Sequence, residues 1–114
     1  MGMKRLLIIG AFLCAVPGLG TAGAAAKVDV KAAEALAEKS GCNMCHALSA
    51  KKVGSSYKQT AAKYKGKPDA AKRLYTHLTT SPKVKIFGTE AMHDNLKTKK
   101  EAEINNFIRY ILSR

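Results

Sequence analysis

A chain of 114 residues with 20 Lys and Arg against 8 Asp and Glu, a formal net charge of +12, has room for one small domain. Its 46% hydrophobic content is ordinary for a globular fold. The positive excess points to anionic lipid, nucleic acid or an acidic protein face; no nucleic-acid motif appears, so nucleic acid is the weakest of the three.

The N-terminus reads as a secretory signal. Lys4 and Arg5 precede an apolar run over 6–16, and "PGLG" and small residues follow. Cleavage after Ala26, or after Ala24, satisfies the small-x-small rule, which divides the chain into a signal peptide 1–26 and a mature domain 27–114. An uncleaved anchor is the competing reading, since no charge falls between Leu6 and Ala26. Pro17, Gly18, Gly20 and Gly23 break that run and disfavour a span. Losing Lys4 and Arg5 leaves 18 basic against 8 acidic groups, or +10. The expected destination is the periplasm, with no stable membrane insertion after cleavage.

The mature chain shows helical periodicity and no sustained alternation. In "DVKAAEALAEKSG", Asp29 is a plausible N-cap, Ala33, Leu36 and Ala37 form an apolar stripe, and Gly41 suits the C′ position. "SSYKQTAAKYKG" predicts a short helix from Ser55 or Ser56 to Gly66. In "KPDAAKRLYTHLTTSP", Pro68 opens a helix with Ala71, Leu74, Tyr75 and Leu78 inward, and Pro82 stops it. His77 then falls on the opposite, solvent-facing side beside Arg73. Residues 83–97 read as a loop. The last stretch, "TKKEAEINNFIRYILSR", has Ile104, Phe107, Ile108 and Ile111 at i, i+3, i+4 and i+7, with Thr98 and Glu101 as a capping box. Four helices and no sheet are expected.

The chemistry lies in "CNMCH", Cys42 to His46. Cys14 leaves with the signal, so Cys42 and Cys45 are the only thiols of the mature chain. A disulfide between cysteines three apart closes too small a loop to stabilise much. C-x-x-C-H is the attachment pattern of a c-type haem: the two thiols bond to two vinyl groups on one porphyrin edge, and the next residue, His46, reaches the iron. One covalently bound haem c would also complete a core that a chain this small builds only marginally. A thioredoxin-like pair needs a βαβ pattern that is not present. A nonhaem zinc site using Cys42, Cys45 and two of His46, His77 and His93 conflicts with the adjacency of Cys45 and His46.

With "EALAEKSGCNMCHALSAKKVGSSYKQTAAKYKG" and a methionine ahead of the last helix, the mature chain resembles the small bacterial class I cytochromes c, monohaem electron carriers of the periplasm. The resemblance implies an all-α fold of about four helices around the haem, with the first and last helices, 30–40 and 98–113, crossing. It implies a distal methionine, and Met92 stands where that ligand belongs, 46 positions after His46; Met44 lies inside the attachment loop. The family usually has proline after this methionine, whereas here His93 follows and offers an alternative distal ligand. Where the family reads V-G-P, this chain has Val53-Gly54-Ser55, so the carbonyl of Ser55 would support the proximal imidazole. There is no tryptophan; Tyr57, Tyr64 or a lysine would take its place near a propionate.

Two strong axial ligands leave no open position for substrate, and no acid, base or nucleophile constellation is apparent. A one-electron carrier is therefore expected rather than an enzyme. Its partners would be redox proteins with acidic docking faces, met transiently and steered by lysines such as Lys52, Lys58, Lys83, Lys85 and Lys97. A haem subunit of a redox enzyme or a gas sensor, with a weak or histidine distal ligand, is the alternative.

Overall fold

The computed structural model describes residues 26–114. The expected signal segment lies outside the described residues except for Ala26.

Helix α1 (Val30–Lys39) starts where Asp29 accepts a hydrogen bond from the Ala32 N–H at 3.0 Å, and it ends as Gly41 turns to φ +75°. Its buried residues are Ala33, Leu36 and Ala37, the stripe expected from the sequence. A single 3₁₀ turn (Cys42–Met44) carries the attachment motif.

Helix α2 (Tyr57–Tyr64) is capped by Ser56. The Ser56 hydroxyl accepts from the Gln59 N–H at 3.1 Å, and the Gln59 side chain accepts from the Ser56 N–H at 2.9 Å. This reciprocal box was present in the sequence as Ser-x-x-Gln and was not anticipated.

Helix α3 (Ala70–Thr79) buries Ala70, Leu74 and Leu78, whereas the expected inward residues Ala71 and Tyr75 are exposed. The buried spacing is i, i+4, i+8, which rotates the inward face toward Ala70 and draws His77 with it.

The expectation of an unstructured 83–97 segment and no sheet is corrected. Strands β1 (Lys83–Ile86) and β2 (Thr89–Met92) form an antiparallel hairpin with Lys83 opposite Met92 and Ile86 opposite Thr89. Four residues per strand are too few for alternation to stand out. The two-residue turn is Phe87-Gly88, with φ +50° and +83°, the sign at both central positions that a type I′ turn requires. A backbone bond of 2.9 Å from the His93 N–H to Pro82 O closes the hairpin's base, and one from the Leu96 N–H to Leu78 O, also 2.9 Å, ties the segment after it to the end of α3.

Helix α4 (Glu101–Leu112) packs against α1, α2 and α3 and supplies more of the core than any other element among the described residues. Ile104, Phe107, Ile108, Tyr110 and Ile111 are all buried. The expected Thr98–Glu101 capping box does not form. The helix begins after Lys100, and Thr98 instead donates to the Glu103 carboxylate at 2.6 Å while accepting from the Lys100 N–H at 3.1 Å. Asn106 binds the Asp29 backbone in both directions, accepting its N–H at 2.9 Å and donating to its carbonyl at 2.8 Å, so the first and last helices are joined by polar contacts as well as apolar ones. Among the described residues no helix is long and apolar enough to cross a membrane.

Candidate functional site

The attachment turn follows directly from the end of α1. Cys42 and Cys45 are half-buried free thiols, and the His46 N–H closes the turn on the Cys42 carbonyl at 2.9 Å. Burial pushes the Cys42 thiol up before any bond to a haem is made.

The His46 ring is fixed from three sides. Its Nδ1 lies 2.7 Å from the Ser55 carbonyl oxygen. A carbonyl only accepts, so Nδ1 donates, and in the neutral ring Nε2 keeps its lone pair. Tyr57 stacks on the ring at 6.1 Å between centroids, and Tyr57 in turn meets Phe107 edge-on at 5.9 Å, linking the ring to the core. On the remaining side is Gly54, where an added Cβ would come within 2.5 Å of His46 Cε1, a space that accepts no side chain. In the sequence Gly54 is marked only by its place between Val53 and Ser55.

Two cavities flank His46. One, of about 270 Å³, has the attachment turn on one wall and Val84, Ile86 and Met92 of the hairpin on the other. The second, of about 170 Å³, reaches inward to Tyr57, Leu74, Leu78 and Phe107. Cys42, His46, Ser55, His77 and His93 line both. Met92 is 60% exposed, and His93 is half-buried with its ring 6.0 Å from that of His46.

His77 is not the solvent-facing side chain expected. It is half-buried and its ring is 4.2 Å from that of His93. Burial holds both His77 and His93 below the usual imidazole range, His77 being lowered further by the nearby rings of His93 and His46. Tyr57 is pushed up by burial. Among the described residues no group of three or more His, Cys, Asp or Glu side chains converges to hold a bare metal ion.

A haem fits what is present. Two thiols remain unpaired beside a histidine whose Nε2 is free, and the walls of the slot are mainly aliphatic and aromatic. Two buried polar atoms in that wall, Tyr57 Oη and His93 Nδ1, have no hydrogen-bond partner among the described residues. A mainly helical frame around such a slot, with one hairpin as a wall and a Cys-x-x-Cys-His turn at its edge, defines a haem protein of the c type.

Comparison with known proteins places the chain more closely. Residues 30–114 match the Cytochrome c family. Cytochrome c-551 of Stutzerimonas stutzeri is 34% identical over 106 residues, covering 90% of this chain and 91% of that protein. Cytochrome c-551 of Allochromatium vinosum is 54% identical over 39 residues, a match that spans only 42% of its length. Among solved structures, the class 1 cytochrome MtoD of Sideroxydans lithotrophicus ES-1 is 42% identical, with a TM-score of 0.73 over 76% of this chain and 97% of that one. Cytochrome c552 of Nitrosomonas europaea is 28% identical, with a TM-score of 0.55 over 70% and 96%. The chain belongs to the cytochrome c family. It carries one covalently bound haem c and is a haem-based electron carrier, not an enzyme.

Proposed function

We propose that the mature domain, released by cleavage near Ala26, shuttles single electrons between periplasmic redox proteins, with His46 and Met92 as axial ligands. The observation that carries this reading is the fixed tautomer of His46: its Nδ1 donates to Ser55 at 2.7 Å, and Nε2 is left as a ligand atom beside two free thiols. Cys42 and Cys45 hold the haem's edge, and Ser55 orients the proximal ring through a backbone atom. Bound haem supplies a one-electron ferrous–ferric couple. Met92 contributes a thioether to the cavity that His46 also lines, and thioether ligation favours the ferrous state. Lys52, Lys58, Lys83, Lys85 and Lys97 are all exposed, Lys85 lines the slot, and their charge steers acidic partners to the molecule.

A second reading, in which His93 is the distal ligand, is favoured by its half-buried ring 6.0 Å from that of His46. Spectra of Met92→Ala and His93→Ala decide between them. With Met92 as ligand, the ferric protein shows an iron–sulfur charge-transfer band, Met92→Ala becomes high-spin and His93→Ala stays low-spin; the opposite pattern installs a bis-histidine carrier. Retention of haem by the denatured protein in acidic organic solvent tests the thioether bonds. N-terminal sequencing of protein from osmotic-shock fluid tests cleavage and export.

A further inference from the structure

The hairpin tip carries two costs that nothing within the described residues offsets. Phe87 is 87% exposed, the most exposed large hydrophobic among the described residues, so its ring gains almost nothing from folding. It also sits at φ +50°, in the left-handed region where a bulky side chain is strained and where Asn or Gly is the usual occupant of a type I′ turn. Strain of this kind persists where a function requires the residue.

We propose that Phe87 is the anchor by which this carrier docks to an acidic redox protein, its ring entering an apolar recess on that partner. The proposal rests on the carrier reading above and names the contact that reading lacks. The hairpin that presents Phe87 also forms a wall of the slot through Val84, Ile86 and Met92, so a partner held at the tip stands beside the redox centre. Charge identifies the partner's rim. Glu90 is the hairpin's only acid and pairs with Lys83 at 3.7 Å, which leaves Lys85, one residue from the turn's flank, without an ion pair among the described residues. Lys52, on the attachment side of the slot, donates to the Asn43 carbonyl and makes no ion pair there either. An aromatic side chain on a hairpin with two lysines and one acid, Glu90 standing opposite Lys85 and pairing with Lys83, matches an apolar surface ringed by carboxylates. A second copy of this chain, itself strongly basic, is repelled. One aromatic ring and a few lysines also make a weak membrane anchor, since stable attachment takes a larger apolar face.

The test replaces Phe87 by Asn, the residue the turn prefers, in the haem-loaded protein. Two reductants are compared by stopped flow: dithionite, which needs no docking, and the hydroquinone of an acidic flavodoxin, which gives up one electron and becomes the semiquinone. Phe87→Asn is expected to leave thermal stability equal or higher and the dithionite rate unchanged, while the second-order rate with flavodoxin falls about tenfold with its salt dependence retained. An unchanged flavodoxin rate overturns the anchor and leaves the carrier reading standing. Wild-type protein that dithionite reduces and flavodoxin does not overturns acidic-partner docking altogether. Co-sedimentation of wild type, but not Phe87→Asn, with phosphatidylglycerol vesicles assigns the tip to a membrane and overturns the proposal, as does Phe87-dependent dimerisation in sedimentation velocity.

Discussion

The packed pair of helices α1 and α4 and the hairpin β1–β2 are built on opposite principles. The helical side is apolar and closed: Ala33, Phe107 and Ile108 are 1–2% exposed, and small residues on α1 let the large ones on α4 approach. No hairpin residue is fully buried, and the core has no member between Leu78 and Leu96. The hairpin is held by its cross-strand ladder and by bonds at its base, including the Ser81 N–H to Asn95 Oδ1 at 2.7 Å. Stability is thus concentrated in the helices, while the hairpin's side chains face the slot and solvent. A carrier needs both, because its iron must sit in a fixed setting yet close to a surface that partners can reach.

That contrast makes mutational outcomes separable. Phe107→Ala, in the centre of the helical side, is expected to cost about 3–5 kcal/mol, read by guanidinium denaturation of the haem-loaded protein. A loss below about 1 kcal/mol would show that the two sides are not built so differently. Gly54→Ala acts at the boundary, where the new methyl group would lie 2.5 Å from His46 Cε1 and 2.9 Å from Nδ1. It should cost about 1–3 kcal/mol and lower the yield of haem-loaded protein, because the ring must move off the Ser55 carbonyl. Normal haem content with unchanged spectra would mean that the ring is not held as tightly as the contact implies.

Ser56→Ala removes one half of the α2 capping box from a side chain that is fully buried, and about 1 kcal/mol of stability should go with it. The visible spectrum should stay as it was, since Ser56 lines neither cavity. Glu90→Ala is the smallest change. Its ion pair with Lys83 is 3.7 Å long and both side chains are more than 60% exposed, so stability should move by no more than about 0.5 kcal/mol. The same variant should quicken reduction by an acidic partner at low salt, because it frees a lysine beside the slot. A large stability loss from Glu90→Ala would place the hairpin within the structural core after all.

Helix ends and stripes were legible in the sequence wherever one residue type has one conformational use. Asp29 caps α1, Gly41 ends it in a left-handed turn, and the 104, 107, 108, 111 spacing marks the face of α4, because caps, turns and periodicity are local properties of a few consecutive residues. The Cys-x-x-Cys-His motif was legible for the same reason, as were the Ser56–Gln59 pair and the Gly54 position, although those two were passed over. Tertiary structure alone decided the rest. Which face of α3 turns inward depends on the helix packed against it, so His77 came to lie beside His93 while Tyr75 went to solvent. The hairpin depends on pairing two four-residue segments, neither long enough to signal a strand by itself. The distance from His93 to His46 depends on how that hairpin closes over the slot, a contact between residues 47 positions apart that no local pattern encodes.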